Sequence, residues 1–335
     1  MNVDIRRLLD QCPGRPSLIV RLETDFPLLP WGLTEVDIPT ACFQTDTYAF
    51  TQHRVRWSLL FDYTVLFHPG FEDRFRQAGH ARPVTLPYAV MRELFQGPER
   101  ERIFEVGWVG QSHWRIYKSR RRILSELAAH FRINDWRRRY TLEEMADIYC
   151  RSKVVVNAAR DDYPQDANMR AFEAMGAGAL LVTRVPSELP AIGFQEGVHF
   201  VGYAKEDEIV PLVRRYLADE AARRRIAQGG REKVLREHTY DCRVQTLLKS
   251  VQQDDGRLFA PARQWSEERV RLAYLDFYAA HGCLNQAYDL MRRIARLSLR
   301  QTVAGTYWIA RAWSRQARDR LVAAVRQFGT AKAPG

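Results

Sequence analysis

The sequence predicts an α/β chain of two Rossmann-like domains, the first small, followed by a helical extension. Three observations predict it. Short runs rich in β-branched residues alternate with amphipathic stretches, the order of an open parallel sheet. A polar segment with an internal Gly-Pro, MRELFQGPERER (91–102), divides that alternation into two series. After residue 265 the strand signals stop and the apolar spacing is helical.

In the first domain, residues 1–95, SLIVRLE (17–23) reads as a strand followed by a Pro-rich loop. IPTACFQTD (38–46) and YTVLFHP (63–69) are two further strands, with VRWSLLF (55–61) a helix or connector between them. FEDRFRQAG (71–79) has a helical period and ends on Gly79 as C-cap. ARPVTLPYAV (81–90) is extended, and 91–102 is expected to be the interdomain hinge.

The second domain, residues 96–253, opens on the apolar strand IFEVGWVG (103–110). The helix RIYKSRRRILSELAAHF (115–131), the helix LEEMADIYCRS (142–152) and the strand KVVVNAA (153–159) come next. A helix over about 167–177 precedes the strands ALLVT (179–183) and HFVGY (199–203), and helices cover 205–218, 220–237 and 241–252. This order predicts a doubly wound sheet, and two such domains facing one another leave a cleft at the carboxyl ends of their strands. Residues 254–264 read as a linker, and 265–330 as a helical extension. Within it, YLDFYAAHGCLNQAYDLMRRIA has the spacing of one tetratricopeptide-type hairpin or, more simply, of a tail packed on the preceding domain.

With 335 residues, 46% hydrophobic and 27% charged, the chain can bury substantial cores. No run approaches the roughly 18 to 20 apolar residues that cross a bilayer, and the N-terminus lacks the apolar core of a secretory signal. The five cysteines are scattered and never spaced C-x-x-C, which fits reduced thiols in the cytoplasm and argues against a zinc cage. The eight histidines show no metal-binding spacing, so no metal site is expected. The net charge of +11 favours acidic partners such as phosphorylated substrates or the inner face of an anionic membrane. The arginine bursts at 120–122, 137–139, 223–225 and 292–293 come with no nucleic-acid-binding signature, so nucleic acid is not expected as a partner.

The chemistry concentrates in NMRAFEAMGAGALLVT (168–183). A helix starting just past a strand's carboxyl end presents free N–H groups and a dipole that favour an anion. Asn168 and Arg170 fall in its first turn, and a guanidinium there suits phosphate. Glu173, one turn on, can accept two hydrogen bonds from vicinal hydroxyls, as acidic side chains do for a ribose. Gly176 and Gly178 allow a tight helix-to-strand turn. The same pattern is also that of an amphipathic helix with a Gly C-cap and one stray carboxylate.

Four pieces, VGWVGQSHWRIYKSRRRIL, YCRSKVVVNAA, NMRAFEAMGAGALLVTRVPSEL and LADEAARRRIAQGGREKVLREHTY, make residues 103–250 resemble the nucleotide-sugar-binding domain of GT-B glycosyltransferases. The resemblance is nearest to the branch grouped with the spore-maturation protein CgeB, related to the family 4 glycosyltransferases. It implies two facing Rossmann-like domains and transfer of a sugar from a nucleotide diphosphate, UDP- or GDP-linked, to a glycan, lipid-linked saccharide or protein acceptor. No cofactor or metal is implied, and envelope polysaccharide synthesis is the expected setting. Glu173 matches the second acid of the family's E-x7-E motif. The first falls at Gln165, with Asp162 and Asp166 nearby, a departure that touches sugar recognition. Gly110, Gln111 and Ser112 sit where the diphosphate passes, and Lys118, Arg120 and Arg170 are candidates to neutralise it. On the acceptor side Asp46 is the candidate general base, with His53 and His68 as alternatives; Asp46 also reads as an ordinary turn or N-cap residue. The alternative to an enzyme is a degenerate binding or scaffold protein of the same fold.

Overall fold

The structure, a computed structural model, describes residues 3–23, 28–112, 117–281, 283, 285–287 and 290, with only the backbone of 279 and 280. In chain order the elements are α1 (Ile5–Leu9), β1 (Ile19–Arg21), β2 (Thr40–Gln44), α2 (Thr51–Ser58), β3 (Tyr63–Leu66), α3 (Glu72–Gln77), β4 (Pro83–Thr85) and α4 (Arg92–Phe95). Then come β5 (Phe104–Gly107), α5 (Lys118–His130), α6 (Leu142–Cys150), β6 (Ser152–Asn157), α7 (Met169–Gly176), β7 (Leu180–Arg184) and β8 (Val201–Tyr203). Four helices follow: α8 (Ile209–Ala218), α9 (Glu220–Glu237), α10 (Tyr240–Gln253) and α11 (Glu267–Ala280).

The strands form two four-stranded sheets, β1-β2-β3-β4 and β5-β6-β7-β8, with parallel pairing in register Ala41↔Tyr63 in the first and Val155↔Leu181 in the second. The α/β class and the two parallel sheets agree with the sequence reading. The winding does not: each sheet adds its strands in one direction, without the reversal expected of a doubly wound sheet. Both faces of the second sheet are nevertheless covered, because the β5–β6 connection carries two helices. Val154, Val156, Leu180 and Val182 pack with Ile123 and Leu127 of α5 and Val213 of α8. On the other face Val155 and Leu181 pack with Tyr149 of α6 and Phe172 and Met175 of α7. A strand buried on both faces needs apolar residues at every position, and VVV and LLV supply them.

Two compact units divide the chain differently from the expected boundaries. Among the described residues, the first takes those within 1–66, 71–84 and from 254 on; the second takes those within 67–70 and 85–253. The segment expected to be a hinge belongs to the second unit, because Tyr88, Val90 and Phe95 are buried in its core and Val90 bridges to Thr239. The expected linker and the described part of the tail belong to the first unit. Asp62, fully enclosed, accepts from Thr40 N and Oγ1 (2.8 and 2.8 Å), Phe259 N (2.7 Å), Ala260 N (2.8 Å) and the Arg263 fork (3.1 and 3.0 Å). Helix α11 lays Tyr274, Phe277 and Tyr278 onto the core of Leu29, Leu33, Trp57 and Phe61. Tyr274 stacks on Trp31 at 4.1 Å, and Phe277 meets Trp57 edge-on at 5.2 Å. The described part of the tail, α11, thus packs within the first unit. The remainder of the proposed tetratricopeptide-type hairpin lies largely outside the described residues.

Candidate active site

The site is built at the carboxyl ends of β5 and β6 in the second unit. Beyond β5, Asn134 clamps Trp108 by accepting from its N–H (2.8 Å) and donating to its carbonyl (2.8 Å). The Tyr149 hydroxyl then holds Val109, donating to its carbonyl (3.2 Å) and accepting from its N–H (3.3 Å). Gly110 follows with φ +150°, and a Cβ there would lie 2.4 Å from Arg170 Nη2. Only glycine meets both the backbone angle and the close approach.

Helix α7 opens with Asn168, whose carbonyl accepts from Ala171 N (3.0 Å) and whose side-chain Oδ1 is buried without a hydrogen-bond partner. In its first turn Arg170 donates to the Val109 carbonyl (3.1 Å) and Asn157 Oδ1 (3.0 Å), with its guanidinium 4.7 Å from the Trp108 ring centre. From α5, the buried Arg120 donates to the carbonyls of Ala158 (2.8 Å) and Gln111 (2.5 Å) and lies 3.9 Å from the Tyr117 ring and 5.6 Å from Trp108. Both guanidinia are oriented by neutral oxygens and aromatic faces; neither forms an ion pair with a carboxylate among the described residues. Burial and the neighbouring Arg170 charge pull the Arg120 guanidinium down to about 9. Two cations held close together without counter-charge form a site for an anion.

Glu173 lies one turn beyond Arg170, half-buried, with its carboxylate outside any hydrogen bond or ion pair among the described residues. Burial pushes its carboxyl up to about 7, against the opposing pull of Arg170. The structure therefore brings Gly110, Gln111, Arg120, Asn168, Arg170 and Glu173 into one neighbourhood. The Ser112 carbonyl accepts from Arg121 Nη1 (2.7 Å), so Gln111 and Ser112 enter through their backbones. Lys118 is exposed at the start of α5, where its N–H donates to Asp161 (2.9 Å).

Gln165 lies in the loop before α7, its carbonyl accepting from Glu188 N (3.0 Å). Glu188 organises that loop by accepting from the Tyr163 hydroxyl (2.7 Å), Ala167 N (3.2 Å) and His68 Nδ1 (2.9 Å). His68 is thereby enclosed, and His68, Asp166 and Glu188 bring ligand atoms within 4.8 Å of one another. Histidine spacing argued against any metal-ligating group, but the fold gathers this one from His68 and two acids about a hundred residues further along the chain. Asp162 pairs with Arg160 (2.8 Å).

Asp46 belongs to the first unit, in the turn after β2, where its carbonyl accepts from Ala49 N (2.8 Å). His53 there is held by Asp276 (3.2 Å) and Arg56 (2.8 Å). Sequence reasoning missed Trp108, Asn134, Tyr149, Asn157 and Glu188. Only Trp108 had a local signal, an aromatic in the middle of VGWVG.

Residues 101–249 match the family model described as glycosyl transferase-like. Among solved structures, sucrose-phosphate synthase from Thermosynechococcus elongatus is 15% identical, with a TM-score of 0.54 over 75% of this chain and 76% of that one. Anabaena Alr3699/HepE in complex with UDP is 12% identical, with a TM-score of 0.52 over 71% and 79%. A glycosyltransferase from Rickettsia africae is 8% identical, with a TM-score of 0.54 over 74% and 79%. These likenesses establish the fold as that of the GT-B glycosyltransferases. Curated protein sequences give no match.

Proposed function

We propose that the protein is a glycosyltransferase that takes its donor as a nucleoside diphosphate sugar in the second unit. The observation that carries this reading is the pair of buried guanidinia, Arg120 and Arg170, beside the Gly110 turn with Glu173 one helical turn away. The diphosphate lies against the two guanidinia and the glycine turn. The ionised Glu173 accepts from the ribose hydroxyls, and the orphaned Asn168 Oδ1 is a further acceptor at the helix start. The family match and a structural neighbour in complex with UDP support the assignment.

Chemically the residues act by position and charge. As the bond from the anomeric carbon to the phosphate oxygen breaks, negative charge grows on the departing diphosphate, where Arg120 and Arg170 are already oriented. Those cations supply the charge that a divalent ion supplies elsewhere, so we propose that donor breakdown needs no metal. Asp46 remains our candidate base toward the acceptor. The acceptor we favour is a lipid-linked or envelope glycan, on the strength of the chain's +11 charge.

Calorimetric titration with UDP, GDP and their sugar conjugates tests the donor site. We expect binding that Glu173→Ala and Arg170→Gln each weaken at least tenfold, about 1.4 kcal/mol. No binding by the folded wild type would transfer the fold to the scaffold reading.

A further inference from the structure

At the opposite end of the second sheet, where β5, β6 and β7 begin, lies a cavity of about 790 Å³ lined by Arg100, Arg102, Lys153, Arg223, Arg224 and Arg231. Three carboxylates, Glu99, Glu101 and Glu220, share the lining, so cations outnumber acids by six to three. The pairing is uneven. Arg100 pairs with Asp147, and Arg223 and Arg224 with Glu220 (3.6 and 2.7 Å). Arg102, Lys153 and Arg231 form no ion pair among the described residues. Among the described residues Arg102 donates to the carbonyls of Tyr149 (3.3 Å), Ser152 (2.5 Å) and Ala177 (3.0 Å). Arg231 donates to the Phe95 carbonyl (3.0 Å), and the Lys153 side chain makes no hydrogen bond among the described residues.

These three cations come from separate elements: the approach to β5, the second residue of β6, and the middle of α9. Charges on one exposed helix face would spread into solvent. Here the backbone carries them into a common concavity, and Gly178 (φ +69°) keeps it open, since a Cβ there would lie 3.1 Å from both Arg102 Nη2 and Arg231 Cδ. Fixed guanidinia with free edges beside a mobile ammonium suit a ligand with several phosphate oxygens. The volume leaves room for more than one phosphate group.

We propose that this cavity is a second anion site that binds a polyphosphorylated group, separate from the donor site. The two lie toward opposite ends of α7: Arg170 is in its first turn, with Glu173 one turn on, and Ala177 and Gly178 are just past its end. Its eight residues span about 12 Å.

The test uses the full chain and inorganic pyrophosphate at low salt. Arg170→Gln weakens the donor-side contribution at least tenfold, on the reading above. In that background we expect about one equivalent of pyrophosphate to bind, and Lys153→Glu to weaken it tenfold or more. Arg224→Glu, an exposed reversal on the same lining, should weaken it as well, so the conclusion survives if one variant misfolds. Flotation with phosphatidylcholine vesicles, with and without a phosphatidylinositol bisphosphate, separates the sources. Charge-dependent vesicle binding that Lys153→Glu abolishes, without pyrophosphate binding in solution, assigns the phosphates to lipid headgroups. Pyrophosphate binding indifferent to both reversals, or no binding in either arm, overturns the proposal.

Discussion

Replacing Glu173 with glutamine should stabilise the protein at pH 8 while removing the proposed ribose contact. The native carboxyl ionises near 7, against an ordinary value of 4.5, because burial outweighs the attraction of Arg170. A raised acid value means that the folded state keeps its proton while the unfolded chain loses it. Unfolding free energy therefore falls as pH rises from 4.5 to about 7 and is level above. The gap between 4.5 and about 7, at about 1.4 kcal/mol per tenfold in proton affinity, comes to about 3 kcal/mol. The side chain is only half-buried, so solvent screening reduces this to about 1–2 kcal/mol. Glutamine imitates the neutral acid and has no such loss. Urea midpoints by circular dichroism at pH 4.5 and 8 measure it, with Val155→Ala marking the transition of the second unit. Glu173→Gln should exceed wild type by about 1–2 kcal/mol at pH 8, and most of that difference should vanish at pH 4.5. A variant no more stable than wild type at pH 8, or a difference unchanged at pH 4.5, would refute the assignment of an ionised, uncompensated carboxylate.

Gly110→Ala forces a Cβ to 2.4 Å from Arg170 Nη2 at a φ of +150°, costing about 1–3 kcal/mol; nucleotide affinity should fall with it in calorimetry. Asp62→Ala leaves the Arg263 charge enclosed without its partner and should lower the stability of the first unit by about 3–5 kcal/mol in chemical unfolding. Burial raises the Asp62 carboxyl, but Arg263 and its amide donors outweigh that and hold it below 3.8. Its stabilisation is therefore present above 3.8 and lost as pH falls below, which an acid titration of the first unit's circular dichroism should register. Trp57→Ala empties a site between Phe61 and Phe277 and should cost about 3–5 kcal/mol.

The strand–helix rhythm was legible because strands enclosed on both faces, such as VVV in β6 and LLV in β7, must be continuously apolar. The α7 residues were legible because a helix start fixes Arg170 and Glu173 relative to each other within four positions. What surrounds them was not. Asn134 reaches back 26 residues to Trp108, and Glu188 reaches back 120 to His68, distances over which no sequence period operates. The division into units was misread for the same reason. Asp62 meets Ala260 across 198 residues, and nothing in DDGRLFAPARQ marks its destination.

The detour of residues 254–280 to the first unit also orders events in time. A chain synthesised from its N-terminus has every described strand of the second sheet, and helices through α10, once residue 253 has emerged. At that moment Trp57, Phe61 and Leu33 still lack Tyr274, Phe277 and Tyr278, the aromatic cover they have in the finished protein. The part made first is thus completed last, and its apolar side stays exposed for the interval between, a window in which a chaperone has something to hold.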